Sequence, residues 1–267
     1  MSTKGAFAFH LALLSTMPAG CDEESTSAPE ELQFRATTRS EVATPGDPDG
    51  GIFINNGLDD PDVSGVNPAY GLSTNEGLDP AGDLLADPDR RDTIEYLVEC
   101  ALPPGASITK VVDGEPLEFD GQIGLAPEWE DGECDEDCQE WVSACLLART
   151  NVSGQTVSLW MRADHPAIGT GTSLRFPVYE ASFFGNLFDG SGQKNICQGS
   201  VASSTVAFLD GRTCSAELGE SCGFTKHNDC ELAPRCTFWG LLQPTAVGCA
   251  PPSGAPYHTI TTYISAI

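Results

Sequence analysis

The residues best equipped for chemistry are the eleven cysteines, a handful of carboxylates and very few histidines. Cys134, Cys138 and Cys145 recur at helical spacing in CDEDCQEWVSACLLAR, an arrangement that suits either thiolate ligation of a metal or disulfide anchoring. No Cys-x-x-Cys occurs in the chain, so the expectation is disulfides and no metal. Cys138 and Cys145 would lie about 10 Å apart along a helix axis, beyond disulfide reach. Each therefore needs a partner on another element. Cys100 is the other thiol nearby; one bridge would join it to a helical cysteine and the second would involve Cys134. A separate, even set follows: Cys197, Cys214, Cys222, Cys230, Cys236 and Cys249, whose spacing leaves the pairing open.

Among the carboxylates, Glu128 sits beside Trp129 in LAPEW, and Glu180 lies in the aromatic run FPVYEASFFGNLF. A carboxylate among aromatic rings is disfavoured as an anion and can act as a general acid, so these two are the weak candidates for a glycosidase-like pair. His165, next to Asp164, is the candidate for half of a hydrolytic triad with Ser173 or Ser182, although adjacent side chains do not readily face each other. Gly-x-Ser-x-Gly, phosphate-loop and His-Glu-x-x-His motifs are missing from the sequence. Asp47, Asp49, Asp59, Asp60 and Asp62 are candidate calcium ligands by chemistry, but no twelve-residue calcium loop frames them. No cofactor is expected. Trp129, Trp141, Trp160 and Trp239 would stack a sugar ring or anchor a protein partner wherever one is exposed, and would otherwise fill the core.

The elements that must position these residues follow from periodicity and turn chemistry. TIEYLVEC reads as helix or strand and ends at Pro103-Pro104-Gly105. SITKVV and EPLEF flank Asp113-Gly114, the preferred two-residue hairpin turn. The cysteine-bearing segment is the clearest helix, with acidic residues in its first turn and Arg149 in its last. TVSLWMR reads as a strand, residues 176–188 as an apolar helix face, and YHTITTYISAI as an edge strand. The fold class expected is α+β: a disulfide-stapled, loop-rich domain with an amphipathic helix on short antiparallel strands, plus a small cysteine-rich subdomain.

Organisation and location are read from the amino terminus and the charge. Lys4 precedes an apolar stretch of signal-peptide length, ending in Pro18-Ala19-Gly20-Cys21. Small residues directly before a cysteine resemble the lipobox of bacterial lipoproteins, although Pro18 stands where leucine is usual. That resemblance implies acylation of Cys21 and anchoring in a membrane. It also leaves ten thiols, which can all pair. Residues 22–92 hold seventeen acidic residues against four arginines and read as an extended acidic tether, crossed by Gly57-Leu58, Gly71-Leu72 and Gly77-Leu78. The expected division is a signal peptide over 1–20, a tether over 21–92, an α+β domain over 93–195 and the cysteine-rich subdomain over 196–267. A net charge of −26 argues against nucleic acid as a partner.

The segments VECALPPG, GLAPEW, WVSACLLARTN, HPAI and EASFFGNLF, preceded by the Gly-Leu repeats, resemble an exported protein family of myxobacteria. The resemblance spans roughly residues 52 to 200 and implies an envelope location and a single architecture, with no activity attached. The functional expectation is therefore an exported, lipid-anchored envelope protein that binds a protein or glycan. The alternative is a hydrolase of envelope or extracellular polymer.

Overall fold

The computed structural model describes residues 50–199, 211–213, 223–231, 235–241 and 243–266. Its frame is a six-stranded sheet in the order β1-β4-β10-β5-β6-β7. The strands are β1 (Ile52–Asn55), β4 (Ser158–Arg162), β5 (Val178–Phe184), β6 (Asn195–Gln198), β7 (Thr225–Asp229) and β10 (Thr259–Ile264). All neighbours are antiparallel except β6 and β7. Two hairpins stand outside it: β2 (Ser107–Val112) with β3 (Glu115–Asp120), and β8 (Cys236–Trp239) with β9 (Thr245–Cys249). The β2–β3 turn falls at Asp113-Gly114, both at positive φ (52° and 89°), as the sequence pattern requires.

The described residues also form helices α1 (Asp83–Ala86), α2 (Arg91–Ala101) and α3 (Glu136–Arg149). α2 stops at Leu102, before Pro103-Pro104. Asp135 caps α3, its carboxylate accepting the Cys138 amide at 3.1 Å. Helix α3 packs on β5 and β10 and also against α2, so from Trp141 onward every residue is buried and the expected single apolar face becomes an all-round one. The Cys100–Cys145 bridge joins α2 to α3, and Cys134–Cys138 closes the start of α3. Cys197–Cys230 and Cys236–Cys249 lie within the second cysteine set. Cys21, Cys214 and Cys222 lie outside the described residues.

Three expectations are corrected. Residues 176–188 do not form a helix, because VYEASFF is strand β5 at the centre of the sheet. It is buried on both faces: neighbouring Phe183 and Phe184 belong to different cores. A strand covered on both sides reads as an unbroken apolar run, which also satisfies helical spacing. The carboxy-terminal strand is not at an edge either. β10 lies between β4 and β5 with all six residues buried.

The third correction concerns the division of the chain. The tether does not extend to residue 92. From residue 50 the chain enters the core, with Ile52 and Ile54 in β1 and Leu58, Leu72, Leu78, Leu84 and Leu85 buried. The Gly-Leu pairs are packing devices: a Cβ on Gly71 would meet the Asp131 backbone at 2.4 Å, and one on Gly77 would meet the Gly71 carbonyl at 2.1 Å. Leucines separated by 14, 6, 6 and 1 residues follow neither helix nor strand periodicity, and the surrounding aspartates mask them. Nor does a seam fall at 195/196, because β6 and β10 belong to the same sheet as β1 and β4.

Candidate ligand-binding cleft

Beyond the end of β4 the chain runs through a loop to β5, and this loop meets the tip of the β8–β9 hairpin. Between them lies a cleft of about 530 Å³ lined by Arg162, Thr170, Thr172, Trp239, Gly240, Leu241 and Gln243. Each wall is held in place. The Gln243 amide donates to the Ser173 and Phe176 carbonyls (3.1 and 3.0 Å) and its oxygen accepts the Ser173 amide at 3.0 Å, which clips the loop to the hairpin. Cys236 and Cys249 pair in register across the hairpin and are bonded. Tyr263 on β10 donates its hydroxyl to the Pro244 carbonyl at 2.6 Å. Such cross-links fix the cleft before any ligand arrives.

Arg162, 3% exposed, lines the cleft. Its Nε and Nη2 donate to the Thr170 carbonyl and its Nη1 to the Gln243 carbonyl. Burial pushes its pKa below the ordinary arginine value, with Tyr263 opposing. Trp239 stands at the rim, 52% exposed, whereas Trp129 and Trp141 are buried and Trp160 is half-buried, its indole N–H donating to Gly171 at 2.9 Å. Leu241 and Leu174 are fully exposed. Among the described residues the lining contains no carboxylate. Compared with protein-family models, with curated proteins and with solved structures, the chain matches none.

The sequence candidates fall elsewhere. Glu180 is 1% exposed, with Oε1 accepting Arg212 Nε at 2.7 Å and Oε2 accepting Arg212 Nη2 at 2.8 Å and the Thr262 hydroxyl at 2.7 Å. Both oxygens are occupied inside the core, while Glu128 is exposed in a 3-10 turn, Pro127–Glu130. The two do not form a pair open to a substrate. His165 presents its ring to the edge of Trp141, 4.9 Å between centroids, and its Nδ1 accepts the Ala167 amide at 3.1 Å. Ser182 is buried and bonded to Tyr179 and Thr261, so it does not complete a triad.

Asp62 accepts the Ser64 amide and hydroxyl and pairs with Arg90 at 2.8 Å; burial opposes ionisation, but these partners hold its carboxyl below the usual range. Asp60 accepts the Asp62 amide. Asp59, Asp60 and Asp62 are not gathered at metal-ligating distances; Asp47 and Asp49 lie outside the described residues. Among the described residues the one such gathering is Cys197, Cys236 and Cys249, all in disulfides.

Two features escaped the sequence reading. Arg162 ends a strand like any other arginine, and nothing in TVSLWMR shows that its head group is enclosed. His258 stacks on Trp141 (4.3 Å, 14°), donates its amide to Glu140 at 2.9 Å and approaches Asp137 Oδ1 with Nε2 at 2.5 Å. Burial pushes the Glu140 carboxyl up, with His258 opposing. This cluster joins α3 to β10 across 121 residues of sequence, a pairing that only the sheet order reveals.

Proposed function

We propose that this protein is an exported envelope-binding module, lipid-anchored at Cys21, whose recognition site is the Trp239 cleft. The observation that carries the reading is an exposed indole on the rim of a braced, carboxylate-free cleft. Exposed tryptophan beside arginine is the composition of binding hot spots, and a flat indole stacks a sugar face equally well. Removing the carboxylates from the lining leaves a site equipped to hold a ligand and poorly equipped for acid–base hydrolysis. The disulfides agree with an oxidising compartment, and no helix among the described residues is long and apolar enough to cross a membrane. The resemblance to exported myxobacterial proteins points the same way.

The test is co-sedimentation of the mature protein with purified envelope fragments, wild type against Trp239→Ala. Trp239 is half exposed, so its removal leaves the fold intact, as circular dichroism will check. Retention of the wild type and loss with the variant is expected. Equal retention of both would remove the cleft from the binding reading. Intact mass of the membrane-extracted protein tests the anchor: a diacylglyceryl adduct on an amino-terminal Cys21 is expected, and an unmodified mass contradicts it.

A further inference from the structure

Four cationic side chains are buried among the described residues: Lys110, Arg149, Arg162 and Arg212. Arg149 pairs with Glu99 at 2.6 Å and Arg212 with Glu180 at 2.7 Å. Lys110 donates to the Thr74 carbonyl at 2.6 Å and feels the favourable charges of Glu76 and Asp79. Arg162, like Lys110, forms no ion pair among the described residues, but no carboxylate of theirs stands near it: its partners are the Thr170 and Gln243 carbonyls and the Tyr263 hydroxyl, with the Tyr263 ring at 5.4 Å. Carbonyls satisfy donors but do not neutralise a charge, and an unneutralised buried charge is costly. Shortage of acids is no explanation in a chain with 39 of them. Of the two buried cations that form no ion pair among the described residues, the one without a nearby acid is also the one that lines the cleft.

We propose, resting on the binding reading above, that the cleft takes a saccharide bearing a single carboxylate, of the uronic-acid class, whose carboxylate neutralises Arg162 while its ring lies on Trp239. The guanidinium has five N–H donors, three of them on the Thr170 and Gln243 carbonyls and the Tyr263 hydroxyl beside it, so donor capacity remains for a carboxylate. Thr170 and Thr172 are on the same lining and would offer their hydroxyls to those of the ligand. A polyanion is excluded on charge, because the surrounding −26 repels it at long range whereas a lone carboxylate reaches a local positive site.

The experiment is isothermal titration of the mature protein with two probes, cellobiouronate and neutral cellobiose. Binding of the acid at least about tenfold tighter than of the neutral sugar is expected, as befits a charge-assisted bidentate contact. Trp239→Ala should weaken both, and Arg162→Lys should collapse the difference between them. Since Arg162 also ties two loops, each variant is checked by its thermal transition, and the wild-type probe comparison stands without them. Equal binding of the two probes, with loss of both in Trp239→Ala, overturns the carboxylate assignment and leaves the binding reading intact. Failure of both probes to bind overturns the acidic-saccharide class, while retention on envelope fragments reports separately on the binding reading.

Discussion

Arg212→Met should be among the most damaging single substitutions in this protein. Arg212 is fully buried, its guanidinium bidentate on Glu180, its Nη1 on the Ala148 and Thr150 carbonyls and its plane 4.8 Å from the Phe183 ring. Removing it leaves a carboxylate enclosed without its cation and two carbonyls at the end of α3 without their donor. Breaking such a pair costs about 3–5 kcal/mol, whereas replacing both partners by apolar groups of similar volume is far milder. With an m-value of about 2 kcal/mol/M in urea, the midpoint should fall by roughly 1.5–2.5 M. The assay is urea unfolding followed by tryptophan fluorescence, disulfides intact, for Arg212→Met, Glu180→Leu and the double variant. The double variant should be more stable than Arg212→Met alone, because the uncompensated charge is gone. A single-variant cost below about 1 kcal/mol, or a double variant that simply adds the two losses, would show that Glu180 reaches solvent and would refute its purely structural role.

Other consequences follow from the bridges and the buried rings. Because Cys100–Cys145 closes 45 residues and Cys134–Cys138 only 4, paired alanine substitution should cost about 4 kcal/mol for the first and about 2 for the second, read from thermal unfolding. Cys197 Sγ lies 3.6 Å from Cys236 Sγ. Limited reduction of Cys236–Cys249 by a dithiol should therefore let the Cys236 thiolate attack Cys197. Peptide mapping after alkylation should find label on Cys230 and Cys249; label confined to either original pair would contradict this. Burial lowers the pKa of His165 first of all, with Asp137 opposing, and lowers that of His227 with Arg235 reinforcing. The unfolded chain then binds more protons below the ordinary value of 6.5, so stability should hold above that pH and decline as pH falls through it. His165→Gln and His227→Gln should each flatten that decline in urea midpoints measured between pH 7 and 5.5.

What could be read from the sequence was what local chemistry determines. Asp113-Gly114 and the Pro103-Pro104 stop each act within a few residues, and each falls where the pattern places it, whereas Asp135, read as an acid of the first turn, is the cap of α3. Helix geometry forbids Cys138–Cys145 and so gives Cys100 one helical partner and Cys134 the other, but which helical cysteine goes to which was not legible until Cys100–Cys145 and Cys134–Cys138 were seen. What stayed hidden depends on contacts across the chain. β5 looks helical because it is covered on both faces, and the Arg212 charge and the Thr262 hydroxyl, both from distant segments, allow the Glu180 carboxylate inside it. The leucines at 58, 72 and 78 enter the core through irregular backbone and those at 84 and 85 through the four-residue helix α1, too short to show a period. For the cleft, Trp239 was one of four equivalent tryptophans until burial separated it from the others, and the enclosure of Arg162 follows only from the meeting of the β4–β5 loop with the β8–β9 hairpin.

The most direct measurement on the recognition site is the indole N–H spectrum of 15N-labelled protein during titration with soluble glycan fragments released from the envelope. With four tryptophans the spectrum is simple, and Trp239→Phe assigns the signal that matters. The Trp239 resonance should move progressively and saturate while those of buried Trp129 and Trp141 stay in place. A Trp239 signal that never moves, or moves no more than its buried counterparts, would contradict the assignment of the cleft as the binding site.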